Sequence, residues 1–232
     1  MTAALIFLLV VVGISGWWLS HQRLMSKPWM ESGPDSIVEG TDNVGMPKAK
    51  VGLVVFLAVV GTFFALFTSG YFMRQEVSDW RSLPLPRILW VNTALLILGS
   101  VSLQRALVLA RRHDIAGVRL WLGAACIVTI GFLVGQMLAW QQLASSGFVL
   151  DGNPANSFFY LLTGLHGLHI LGGLVALGRA TASAWDDTMA PEKLRLRADL
   201  CALYWHFLLF IWFVLVVVML GWVHDPFLIS DH

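Results

Sequence analysis

Carboxylates are missing from the apolar parts of this chain. Of its 232 residues only 12% are charged, 15 Lys and Arg against 14 Asp and Glu, where soluble domains carry about 25%. No Asp or Glu lies within a long apolar run before Asp199, at the border of the last one. Proton relays across a membrane normally run through carboxylates, so a self-contained pump or an acid-based carrier is not expected. No pair of broken runs suggests a substrate site at mid-membrane depth. There is no long run of lysine or arginine and the net charge is only +1, which offers nucleic acid no basic surface. Cysteine is scarce too. Cys126 and Cys201 both fall in apolar runs, with no C-x-x-C-H for covalent haem and no Cys/His ligand cluster. Two buried thiols are expected, not a disulfide framework or a metal site.

Apolar residues fill the space left by these absences. They make up 57% of the chain, and the mean hydropathy is +0.74. Six runs, at about residues 3–20, 51–73, 88–110, 118–141, 157–180 and 199–223, approach or exceed the ~20 residues that cross a bilayer. A segment alone in lipid must satisfy its own backbone, as an α-helix does. The predicted fold class is therefore an all-α integral membrane protein with six transmembrane helices. Residues 1–23 form an N-terminal transmembrane helix, 24–50 a loop, and 51–232 a five-helix bundle. The first run lacks the basic start of a secretory signal and ends in Trp17-Trp18, so a retained helix is expected. Trp90, Trp121, Trp140 and Trp222 suit interfacial anchors in the same way. The loop mixes Pro28, Gly33, Pro34, Gly40, Gly45 and Pro47 with acids and has no core of its own.

Lysine and arginine set the expected orientation. Arg23, Lys27, Lys48 and Lys50 lie in the first connection, Arg111, Arg112 and Arg119 at the third, and Arg179, Lys193, Arg195 and Arg197 at the fifth. The other side has only Arg74, Arg81 and Arg87. Positive charge stays inside, so the odd connections are cytoplasmic and both termini periplasmic, in a multi-pass protein of the cell inner membrane.

Two histidines stand in the middle of the fifth run, Ser157-Phe-Phe-Tyr-Leu-Leu-Thr-Gly-Leu-His-Gly-Leu-His-Ile-Leu-Gly-Gly173. Polar groups there are costly in hydrocarbon and are expected to face protein. An i,i+3 pair lies about 60° apart around a helix, so His166 and His169 point toward one interface. His206 lies in the sixth run, roughly 10 Å from its inner end, at a depth closer to His169 than to His166. A bis-histidine haem between His169 and His206 is thus open on depth alone, which leaves a small membrane cytochrome as one alternative. Interhelical hydrogen bonding by the three imidazoles, setting how the last two helices pack, is the other expectation. Asn92, Gln104 and Gln136 are the amides in the spans, and Gly131-Phe-Leu-Val-Gly135 is a small-residue pattern that lets helices approach closely.

Three stretches carry a family resemblance. Phe158-Phe159-Tyr160-Leu161-Leu162-Thr163-Gly164-Leu165-His166-Gly167-Leu168-His169, followed by Gly172 and Gly173, resembles the signature helix of subunit III of haem-copper terminal oxidases. Tyr204-Trp205-His206-Phe207, with Trp212 downstream, resembles the opening of that family's last helix. Gly135-Gln136 with Ala139-Trp140 resembles a pattern in an earlier one. The three occur in the family's order.

The resemblance implies an accessory, non-catalytic subunit of a respiratory oxidase of the cytochrome c or quinol type. Such a chain binds no cofactor itself. It packs beside the catalytic subunit I and subunit II, where haem and copper reside, holds phospholipid, and helps sustain proton uptake and turnover. The motif positions Gly135, Gln136, Gly164, His166, Gly167, His169, Tyr204, Trp205, His206 and Trp212 are then structural, with no catalytic or metal residue among them. The subunit-III-like protein of nitric oxide reductases shares the helical pattern and is a second alternative. Two positions depart from the family: an acid frequent in the helix matched by Val51 to Met73 is here Val60, and another after the Tyr-Trp-His motif is Leu209. The helix count departs as well, with one leading helix before a five-helix core, so a lipid cleft built by two leading helices does not carry over.

Overall fold

A computed structural model describes residues 47–77, 80, 86–149, 153–186 and 190–220. The expected first helix, nearly all of the loop after it, Pro84, Trp222 and the C-terminal tail lie outside these residues. Five helices follow one another: α1 (Lys48–Gln75), α2 (Ile88–Arg111), α3 (Ile115–Ser145), α4 (Pro154–Ala184) and α5 (Pro191–Met219). All five are long and apolar enough to cross a membrane. At 24 to 31 residues they exceed the ~20 that hydrocarbon requires.

The caps explain where the helices begin. Asp114 accepts a hydrogen bond from the Gly117 amide (3.0 Å) and starts α3. Asn153 accepts from the Ala155 amide, and Pro154 follows in the first turn of α4. Proline also opens α5 at Pro191, with Glu192 in the first turn at the positive end of the helix dipole. That start lies well before the residue 199 expected from hydropathy. The leading turns carry Lys193, Arg195 and Arg197, and charge, which ends an apolar run, does not end a helix. Between α2 and α3 the chain turns through Arg112, His113 and Asp114 alone, with His113 in the left-handed region (φ 59°).

From Leu57 onward the bundle is closed by side chains. α2 packs on α3 and α5, and α4 packs on the same two, so the four make a ring. One apolar cluster fills its Arg111 end, around Leu103, Leu122, Leu177 and Ala198, and a second the opposite half, around Leu96, Phe132, Ile170 and Leu208. α1 lies along α4 and α5 through Val60, Phe64, Leu162, Ile211 and Leu215. Val60 is thus a buried apolar contact of this seam. Gly131 and Gly135 both face α2, against Leu95 and Asn92, so the G-x-x-x-G pattern works inside the chain.

Arginines tie one end of the ring. The Arg119 Nε donates to the Ala184 carbonyl (2.6 Å) at the C-terminus of α4, and its guanidinium lies 4.9 Å from the Trp185 ring. Arg197 donates to the Ser183 hydroxyl, and Arg111 sits 4.0 Å from Asp199. Both thiols are free, Cys201 buried and Cys126 half-buried, with the Cys126 Sγ 3.5 Å from the Thr181 hydroxyl.

Candidate functional site

His166 is the centre of the polar core. It is 0% exposed. Rings from three other helices surround it: Trp212 of α5 at 5.2 Å, Phe132 of α3 at 6.0 Å and Phe64 of α1 at 6.3 Å. Neither imidazole nitrogen has a hydrogen-bond partner among the described residues. The Trp212 plane is tilted by only 33° against the imidazole, while Phe64 and Phe132 stand edge-on at 70° and 82°. The site is an aromatic box that holds the imidazole by shape.

Ties between helices radiate from this box. The Trp212 indole N–H donates to Thr93 Oγ1 (2.9 Å), and Thr93 in turn donates to the Leu89 carbonyl (2.8 Å). Next to it, Asn92 Nδ2 donates to Gln136 Oε1 (3.0 Å), joining α2 to α3. Gly135 permits this contact, because a Cβ there would overlap the Asn92 carbonyl oxygen. On the far side of α3 the Trp140 indole donates to Thr163 Oγ1 (3.1 Å), over Gly164, whose missing side chain leaves room for the ring. Toward the Arg111 end the Tyr204 hydroxyl donates to the His169 carbonyl (2.8 Å), its ring lying where a Cβ of Gly173 would be. Trp205 is buried with its Nε1 over Gly99, and Gly167 is buried beside His166.

This arrangement corrects the expectation for the histidines. Among the described residues none of the three imidazoles bonds across helices. His169 Nδ1 donates to the carbonyl of Leu165 (2.7 Å) and His206 Nδ1 to that of Ala202, each one turn back on its own helix. His169 is half-buried with its ring 5.6 Å from Phe64, so it shares the α1 seam with His166 as the i,i+3 spacing predicts. His206 is exposed. Tyr204 faces His169, and residue 206 is turned about 200° from 204 around the helix, so His169 and His206 look away from each other. They cannot share a haem between them. No group of three or more His, Cys, Asp or Glu among the described residues is placed to hold a metal ion. The three histidines of the described helices are thus not placed together to hold haem or copper.

Sequence reasoning missed the roles of Thr93 and Thr163, which accept from the Trp212 and Trp140 indoles, and of Phe64, which walls His166. A lone Thr or Phe in an apolar helix carries no signal of its own. Gln104, named among the amides, faces outward with Arg105 beside it.

Residues 35–224 match the family model for cytochrome c oxidase subunit III. The chain is 32% identical over 178 residues to a probable cytochrome c oxidase subunit 3 of Mycobacterium tuberculosis, covering 73% of this chain and 85% of the relative. It is 29% identical over 184 residues to that of Mycobacterium leprae, with the same coverage of 73% and 85%. To the cytochrome c oxidase subunit 3 of a Synechocystis species it is 28% identical over 211 residues, 85% of this chain and 89% of the relative.

Proposed function

The chain belongs to the cytochrome c oxidase subunit III family, and from that premise we propose how it serves a respiratory haem-copper oxidase. It is an accessory membrane subunit of that oxidoreductase complex. It carries out no redox step itself. Subunits I and II hold the haem and copper, and this chain packs beside them, holds phospholipid on its outer helices and keeps the complex intact through sustained turnover. The observation that carries this reading is the family match over residues 35–224. The polar core supports it: the Trp212 and Trp140 indoles, the Asn92 amide and the Tyr204 hydroxyl tie helices together, His166 is enclosed, and His169 and His206 are turned onto their own backbone. The relatives above are named for the oxidase, and nothing favours the nitric oxide reductase alternative.

Extraction in mild detergent tests the assignment. The chain is expected to co-purify in equal stoichiometry with a large haem-bearing subunit. A stable monomer with its own Soret absorption would overturn the accessory reading in favour of a cytochrome.

The orientation follows from charge. Arg111, Arg112, Arg119, Lys193, Arg195 and Arg197 gather at one end of the bundle, against Arg74 and Arg87 at the other. That end is cytoplasmic in our reading, in a cell inner membrane with both termini periplasmic. A reporter fused after His232 should therefore be active only in a form that works outside the cytoplasm. Cytoplasmic activity from that fusion would show the topology to be inverted or a span miscounted.

A further inference from the structure

Four glycines among the described residues are buried, Gly99, Gly135, Gly167 and Gly173. At three of them a Cβ would come within 4 Å of Trp205, Asn92 or Tyr204, so a side chain from a neighbouring helix already uses the room. Gly167 is the exception. A Cβ there would meet nothing within 4 Å among the described residues, which leaves space for a methyl-sized group at an enclosed position next to His166. The direction of that space follows from the preceding turn. Gly164 lies against the Trp140 ring, and residues three apart share a helix face, so Gly167 also looks toward α3. The pairs Cys126–Thr181 and Trp140–Thr163 show α3 and α4 to be antiparallel. Three residues further along α4 is therefore about one turn back on α3, from Trp140 to Gln136.

Two polar side chains at this level have bonding capacity to spare. Gln136 is 3% exposed; its Oε1 accepts from Asn92, but its Nε2 has no partner among the described residues. His166 is fully enclosed, with both ring nitrogens unpartnered. They are close neighbours, because Phe132, one turn before Gln136 on the same face of α3, has its ring 6.0 Å from that of His166. A neutral imidazole carries one N–H and one bare acceptor, and the Gln136 amide adds a donor. Left dry, such groups each cost stability; a buried water typically satisfies two to four of them at once. The chemistry narrows the occupant further. No charged side chain lies between Arg119 and Ser145 on α3 or between Pro154 and Arg179 on α4, so an ion would find no countercharge. An apolar molecule would leave the N–H groups unpaired. Water is small enough, and both gives and accepts.

We propose that one ordered water sits beside Gly167, accepts from Gln136 Nε2 and bonds a ring nitrogen of His166, tying α3 to α4 at the centre of the bundle. Gly167 is then kept free of a side chain for a solvent molecule, where Gly99, Gly135 and Gly173 are kept free for a neighbouring helix. Only contacts within this chain are involved, so the water site stands or falls independently of the accessory reading.

The test uses the intact complex. In a density map fine enough to show ordered solvent, a peak is expected within about 2.7–3.2 Å of both Gln136 Nε2 and a His166 ring nitrogen. Gly167→Ala should lose that peak. It should also raise the fraction of this subunit lost in detergent by about 5-fold or more, because the methyl group expels the water and leaves two buried partners unsatisfied. In a dry gap the same methyl group does the opposite: it fills space, favours the helix and improves retention. Gln136→Met keeps the length of the side chain but removes the N–H, so on that background the cost of Gly167→Ala should shrink to about 2-fold or less. Retention of Gly167→Ala at or above wild type would overturn the proposal, as would an undiminished cost on the Gln136→Met background. If Gly167→Ala does not assemble, the wild-type map decides alone, and a map without a peak between these groups overturns the site.

Discussion

Replacing Gly173 with leucine is expected to remove most of the folded chain from the membrane. A Cβ at this buried position would overlap the Tyr204 ring and come within 2.9 Å of Trp205 Cζ3 and 3.0 Å of its Cη2. Both rings are rigid, and Trp205 is itself buried against α2 at Gly99, so it has no room to retreat. The Tyr204 hydroxyl reaches the His169 carbonyl only while its ring lies flat on α4, so a side chain at 173 also breaks that bond. Overpacking by even one methyl group costs about 1–3 kcal/mol, and leucine adds three more carbons to the same place. Gly173→Ala should lie between wild type and Gly173→Leu in the amount of subunit retained after extraction. Normal accumulation and assembly of Gly173→Leu would mean that α4 and α5 do not approach as described.

Trp212→Ala is expected to have the next largest effect. The indole is 1% exposed, forms one wall of the box around His166, and packs edge-on against Phe132 at 5.1 Å. Truncation opens a cavity that the surrounding helices close only in part, at a cost of about 3–5 kcal/mol for a buried tryptophan. It also strips the α5-to-α2 bond through Thr93. Trp212→Phe separates the two contributions. It keeps a ring beside His166 but loses the N–H, and since Thr93 still has the Leu89 carbonyl, the cost should be about 1 kcal/mol. Thermal unfolding of the purified complex, read as loss of this subunit, gives the ranking. Equal destabilisation by Ala and Phe would show that the hydrogen bond, not the packing, holds the box together.

Neither prediction was available before the helices were seen together. The two glycines of the fifth run, Gly172 and Gly173, look alike in sequence, but a Cβ at Gly172 meets nothing within 4 Å while one at Gly173 meets two aromatic rings. Trp212 entered only as the tail of a motif, and its partner Thr93 stands more than a hundred residues away.

What the sequence determined by itself is one-dimensional. Apolar run length places five described helices within a few residues at most of their ends, and the clustering of arginine and lysine predicts which connections are cytoplasmic. The order of three short motifs identifies the family, in agreement with the match over residues 35–224. Only the tertiary structure decided which way each side chain faces. In water an amphipathic helix betrays its buried side, because the other side must be polar. In lipid both sides are apolar, so His166, His169 and His206 carry the same signal in sequence. The fold encloses the first, half-covers the second and turns the third outward, because the positions of neighbouring helices, and not hydropathy, decide what is covered.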